Sequence, residues 1–268
     1  MSDLLAPVTG DRLVHRINPV AKIAASAAIG IALISTIDWV SGAVALLLIG
    51  ALIPFAGVPW RSLLLRLSPI LVAAPLTGLT LALYAEPSGR IHGSFLLATV
   101  SDGSLQFAAA AVLRVLAIGV PAVLLIATVD TTDLADGLIQ TWRLPARFVL
   151  GALAGLRMVG LLVDDWRALV LARRARGVGD AGGFLGRIRF LGSVAFALLV
   201  LALRRASSLA TAMEARAFGG DTPRTAARTA RFGAAEWMLV LIGVAIGATA
   251  IAVSVAAGTF RPILGPGS

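Results

Sequence analysis

The sequence predicts an all-α membrane protein with five transmembrane helices and a cytoplasmic-side unit of one short and two long helices. Three observations predict it. Of 268 residues, 58% are apolar and only 14% charged, with a mean hydropathy of +0.92, far from the balance of a soluble globular domain. Five apolar stretches, residues 20–37, 39–55, 67–84, 105–129 and 237–255, reach or approach the roughly 20 residues that carry a helix across a bilayer. The basic residues then sort to one side of those stretches: 20 of the 23 lysines and arginines fall in segments that share a face of the membrane.

The first fifteen residues place Asp3 and Asp11 ahead of any apolar run, which argues against a cleavable signal. Trp39 opens the second span, Tyr84 closes the third and Trp237 opens the last, positions where amphipathic rings sit at headgroup level. Positive segments stay cytoplasmic, so the N-terminus is expected inside and, after five crossings, the C-terminus outside. Arg90 and Arg261 fall outside in this arrangement, and Arg114 lies within the fourth span. An arginine there is expensive against lipid; it is expected to snorkel, meet Asp38 or Asp102, or line a subunit boundary.

Residues 1–129 therefore carry four spans, 130–235 a cytoplasmic region, and 236–268 the last span and an outside tail. The cytoplasmic region opens with a short helix in "DTTDLADGLIQTW", with Asp130, Thr131 or Thr132 available as its N-cap. Leu144-Pro145 breaks it, and no proline follows until well past Arg176. Thirty-two helical residues from Pro145 to Arg176 would make a rod of about 48 Å. Arg157 in mid-span would cost about 3 kcal/mol or more in lipid, so this rod is expected along or beneath the inner membrane face. A second long helix is expected over residues 184–218, with an apolar centre, 190–203, bracketed by Arg187 and Arg189 before and Arg204 and Arg205 after. Fourteen apolar residues are too few to cross comfortably. Between the two lies "GVGDAGG", a helix stop.

Several function classes are poorly served by this composition. With no cysteine and with two distant histidines, His15 and His92, thiol chemistry and a clustered metal site are not expected, and no cofactor is. The net charge of +9 comes from arginines set among apolar runs, which reads as topology and lipid contact rather than nucleic-acid binding. "RGVGDAGG" lacks the lysine and hydroxyl of a phosphate-cradling loop. The spans hold almost no ionisable residue besides Arg114, against a self-sufficient carrier or membrane enzyme.

What the chain does contain is one arrangement twice. Ala175-Arg176-Gly177 ends the first long helix, and Ala215-Arg216-Ala217, followed by Gly219, ends the second. Arginine at a helix C-terminus and a glycine stop account for each end singly. The repetition, and the small neighbours that leave each guanidinium unobstructed, instead suit bidentate capture of a carboxylate in a partner's groove. Arg173, Arg174 and Glu214 flank these tips as supporting residues. Asp164 and Asp165 either hold Arg167 and its neighbours in place or stand as solvated charge. Gly151 and Gly155 form a small-xxx-small face that seats another helix, from this chain or from a partner.

The pattern "RLPARFVLGALAGLRMVGLLVDDWRALVLARRARG" followed by "LRRASSLATAMEARAFGG" resembles the transmembrane T component of energy-coupling factor transporters, the bacterial vitamin and transition-metal importers. "RINPVAKI", residues 16–23, resembles that family's basic, proline-containing lead into the first span. The resemblance implies a non-catalytic subunit of the bacterial plasma membrane, with Arg176 and Arg216 docked in grooves of two ATP-binding cassette ATPase subunits. It also implies a small membrane S subunit that captures substrate. The sequence departs from the family at Ala217, where glycine is more usual. A conventional importer permease is the alternative, since Glu214-Ala215 with Gly220 loosely resembles its single coupling loop. Two arginine-tipped helices forty residues apart argue against that reading.

Overall fold

The computed structural model describes residues 17–85, 88–95, 98–177, 183–218, 220, 225–226, 228–230 and 232–260. They form eight helices: α1 Pro19–Ile34, α2 Trp39–Ala56, α3 Trp60–Tyr84, α4 Asp102–Thr128, α5 Thr131–Gln140, α6 Ala146–Ala175, α7 Gly183–Ala215 and α8 Ala234–Ala256. Between α3 and α4 stands a hairpin that sequence patterning did not anticipate, β1 Ile91–Phe95 against β2 Ala98–Ser101, antiparallel with Phe95 opposite Ala98. It is too short to declare a period of two, and it does not alter the all-α membrane class.

Among the described residues, five helices are long and apolar enough to cross a membrane: α3, α4, α6, α7 and α8. This set differs from the five expected spans. α1 and α2 are shorter apolar helices, the 16 residues of α1 covering about 24 Å. α6 and α7, expected along the membrane face, meet the length and composition of a crossing. α3 begins seven residues before the expected start and runs unbroken through Pro69 and Pro75. Arg61 and Arg66 had concealed its first two turns; the Arg66 Nε donates to Ser62 Oγ at 3.3 Å, one turn back on the same helix.

The chain divides into two compact units, residues 1–137 with 230–268, and residues 138–229. In the first, α3 packs on α4, α1 on α8, and α2 against both α4 and α8. Leu33, Leu63, Ala45, Ala117 and Ala250 sit at the centre of that bundle. Close approach of α1 and α8 depends on Gly243 and Gly247. A Cβ on Gly243 would lie 2.7 Å from the Ala25 carbonyl oxygen, and one on Gly247 would lie 2.7 Å from Ala32 Cβ. This G-x-x-x-G pair seats two helices of this chain against each other, whereas a Cβ at Gly151 or Gly155 would have nothing within 4 Å.

Polar groups tie the ends of this bundle. Asn18 caps α1, its Oδ1 accepting the Val20 N–H at 3.0 Å, with Pro19 pre-set in the first turn. The Asn18 N–H donates to Glu236 Oε1 at 3.3 Å, and Glu236 Oε2 accepts the Gly233 N–H at 2.8 Å. One carboxylate thus caps α8 and joins its start to that of α1. Phe232 and Trp237 stack edge to face across the same helix start, ring centroids 5.4 Å apart, as a hydrophobic staple. Buried Lys22 donates from Nζ to the Thr128 carbonyl at 2.9 Å. Asp130 proves to be the cap of α5, its Oδ1 accepting the Thr132 N–H at 2.7 Å.

At the junction of α1 and α2, Asp38 is buried and caps α2: Oδ2 accepts the Ser41 N–H and Oδ1 the Ser41 hydroxyl, both at 2.7 Å. Burial pushes its carboxyl up, but the two Ser41 bonds outweigh it, with help from Ser254 and Thr36, and the net position is below the ordinary carboxylate range. Arg114 interacts electrostatically with Asp38. It does so because Gly42, one residue past Ser41, lets the backbone of α4 close in at Leu113 and Arg114. Arg114 is half-buried and lies in the field of that carboxylate without an ion pair between the two, and its Nη2 is buried with no hydrogen-bond partner.

Candidate functional site

The second unit holds α6 and α7, of 30 and 33 residues, about 45 and 50 Å long. Val149 and Val194 are their only buried side chains among the described residues. On α7 the half-buried and buried positions Gly186, Phe190, Val194, Ala197, Leu198, Leu201, Ala202, Arg205, Leu209 and Met213 recur every three or four residues, which marks one inward face, narrow in the first turns and wider further along. The remaining circumference is exposed and apolar through the middle of the helix.

Two polar clips fasten α6 to α7. The Arg205 guanidinium meets the Asp165 carboxylate through Nη1–Oδ2 at 2.5 Å and Nη2–Oδ1 at 3.5 Å. Arg173 donates to both the hydroxyl and the carbonyl oxygen of Ser193, the latter at 3.0 Å. As the residue number rises on α6 it falls on α7, so the helices run antiparallel. Asp165 thus reaches across to α7, whereas Asp164 pairs locally with Arg167 at 3.5 Å in an exposed contact, worth under about 1 kcal/mol.

Each arginine tip is closed the same way. Ala175 is the last residue of α6 and Arg176 its C-cap, with Gly177 left-handed at φ +74° and its N–H on the Arg174 carbonyl at 2.9 Å. At the end of α7, Ala215 is the last helical residue, and Ala217 takes the left-handed conformation at φ +55° despite its Cβ. Its N–H bonds the Glu214 carbonyl at 2.9 Å and the Phe218 N–H bonds the Met213 carbonyl at 3.0 Å, the paired closure of a Schellman end. The substitution at Ala217 therefore leaves the turn intact and strains it.

Arg176 and Arg216 are exposed, as are Ala175, Gly177, Ala215 and Ala217. The flanking residues serve differently. Arg173 spends its guanidinium between the helices, Arg174 is exposed and contributes its carbonyl to the tip, and Glu214 does likewise without an ion pair to Arg216 among the described residues. Gly219 lies outside the described residues. Gly151 and Gly155 are exposed on α6. Sequence reading missed the Arg173–Ser193 and Asp165–Arg205 clips, for which no local spacing exists. It also passed over the G-x-x-x-G of α8, whose spacing was available.

Comparison with known proteins covers both units. The family model for CbiQ, cobalt transport protein, matches residues 10–227. The chain is 28% identical over 248 residues to the energy-coupling factor transporter transmembrane protein EcfT of Bacillus selenitireducens, covering 88% of this chain and 90% of that protein. It is 28% identical over 242 residues to EcfT of Listeria innocua, 87% and 91% covered, and 26% over 243 residues to EcfT of Lactococcus lactis, with the same coverage. With an apolar multi-helix membrane fold and this match across most of its length, the chain belongs to the CbiQ family, as a transmembrane T component of an energy-coupling factor transporter.

Proposed function

We propose that this chain is a coupling subunit that carries motion from two ATP-binding cassette ATPase subunits to a small membrane S subunit, for uptake of a vitamin or a transition-metal ion. The observation that carries the reading is the matched pair of tips: α6 and α7 each end in an exposed arginine followed at once by a left-handed residue. That turn drops the backbone away and leaves the guanidinium fork free for bidentate grip of a carboxylate. Rigid helices of this length convert a small rotation at their tips into displacement elsewhere along them, a rigid-body transition. The chemistry of ATP hydrolysis belongs to the partners.

In this reading residues 1–129 and 236–268 are the membrane part and 130–235 the coupling region. The N-terminus is cytoplasmic and the C-terminus outside in a bacterial plasma membrane, which the one-sided placement of 20 of the 23 basic residues supports. The exposed small face at Gly151 and Gly155 is offered to the S subunit. The test is Arg176→Ala and Arg216→Ala, scored for membrane insertion, copurification of the ATPases and transport in proteoliposomes. Each variant inserts normally and loses ATPase association or transport; two variants that assemble and transport at the parental rate overturn the reading.

A further inference from the structure

Leu185 and Phe184, at 81% and 77%, are the most exposed large apolar side chains among the described residues, and Ile188 and Leu191 follow at 54% and 44%. All four lie in the first turns of α7. At about 100° per residue, Phe184, Ile188 and Leu191 form one stripe with Leu185 beside it. Arg187 and Arg189 fall on its two rims. Gly186, Phe190 and Val194 face the other way, half-buried or buried within the unit. Phe184 and Leu185 therefore do not belong to the packing face.

The charge around this stripe is of one sign. From Gly183 to Met213 the sequence holds Arg187, Arg189, Arg204 and Arg205 and no carboxylate, and Arg205 is committed to Asp165. Both Arg187 and Arg189 are exposed. Large apolar side chains with an arginine on either rim suit the headgroup boundary of a bilayer, where the rings enter the acyl region and long basic side chains reach back to phosphates. An acidic protein groove would complement the arginines and leave Phe184 and Leu185 against polar walls. Because the chain is a membrane protein, a lipid surface is already at hand.

We propose that the first turns of α7, residues 183–191, are an interfacial anchor selective for anionic lipid, with Phe184, Leu185 and Ile188 inserted and Arg187 and Arg189 holding headgroup phosphates. The anchor stands independently of the coupling role of Arg176 and Arg216. The absence of cysteine makes Leu185→Cys a unique labelling position in the full-length chain. A bimane label there is read in vesicles of phosphatidylcholine, with or without phosphatidylglycerol, by quenching from acyl-brominated lipid and from aqueous iodide. With phosphatidylglycerol present, bromine quenches strongly and iodide weakly. Bromine quenching falls about twofold or more when phosphatidylglycerol is omitted, and equally when Arg187→Gln and Arg189→Gln are added. A label open to iodide in every vesicle, or shielded from both quenchers by protein, overturns the proposal. So does bromine quenching that ignores both headgroup charge and the two arginines.

Discussion

Asp165 and Arg205 join α6 to α7 at a point equidistant along the chain from the two arginine tips: Arg176 lies eleven residues beyond Asp165, and Arg216 eleven beyond Arg205. On antiparallel helices this puts about 16 Å of helix between the ion pair and each tip, in opposite directions. A fastening at that midpoint makes two rods move as one body. The pair is bidentate and partly buried, with side-chain exposures of 36% and 23%, so it is worth more than a solvated contact and still on the order of 1 kcal/mol. Asp165→Arg and Arg205→Asp each place like charges together and are expected to slow transport severalfold with the ATPases still bound. The double exchange restores the attraction and recovers most of the rate. Transport in proteoliposomes across this cycle measures the coupling; two singles that match the parent show that the midpoint clip carries no motion.

The turn after Arg216 is held by an alanine at φ +55°, a conformation that costs an L-residue with a Cβ roughly 1 kcal/mol. Ala217→Gly removes that strain and is expected to raise the thermal unfolding midpoint of the purified chain slightly, with transport unchanged. Ala217→Val, β-branched in a left-handed position, lowers both. At the other tip, Gly177→Ala costs about the same 1 kcal/mol, since Gly177 sits at φ +74° with open space around it. Melting curves of the three variants separate backbone strain from loss of contact.

The sequence made some of this visible and could not have carried the rest. α6 and α7 were readable because proline is absent between Pro145 and Arg176 and a glycine-rich stop divides them, and their observed ends fall within three residues of the expected ones. The start of α3 was lost because Arg61 and Arg66 depress the hydropathy of its first turns. α6 and α7 also carry enough apolar length to cross a membrane, so length alone does not decide whether they cross it or lie along its face. Arg114 comes into the field of Asp38, and Asp165 pairs with Arg205, through tertiary approach; nothing in a linear pattern selects between Asp38 and Asp102 or between Asp164 and Asp165.

Acid sensitivity of the first unit is expected to centre on Asp38. Its folded-state carboxyl lies below the ordinary value, so the stabilisation it gives is complete above the unfolded value of about 4 and is lost as pH falls through the lower folded value. Asp38→Asn keeps the shape but gives up charge-assisted bonds to the Ser41 N–H and hydroxyl and the charge beside Arg114. It should cost about 1–3 kcal/mol near neutral pH and flatten the pH dependence below about pH 4. Thermal denaturation in detergent between neutral pH and about pH 3 checks both; a variant as acid-labile as the parent would place the sensitivity at another carboxylate.

The two small-residue pairs make opposite predictions under the same substitution. A Cβ on Gly243 meets the Ala25 carbonyl oxygen at 2.7 Å, its Cα at 2.8 Å and its Cβ at 2.9 Å. Two of those atoms are backbone and cannot swing aside, so α8 must back away from α1. Gly243→Ala is therefore expected to cost about 1–3 kcal/mol, and Gly243→Leu to prevent stable packing of α1 on α8. Gly151→Ala and Gly155→Ala meet nothing within 4 Å, and in mid-helix alanine is favoured over glycine by about 1 kcal/mol, so both are neutral or stabilising in the isolated chain. If the face at Gly151 and Gly155 receives the S subunit, bulkier Gly151→Leu and Gly155→Leu leave the isolated chain's melting point intact and reduce copurification of that partner. Melting of the purified chain together with pull-down of the assembled transporter distinguishes the two faces; an S subunit retained in full by both leucine variants assigns its contact elsewhere.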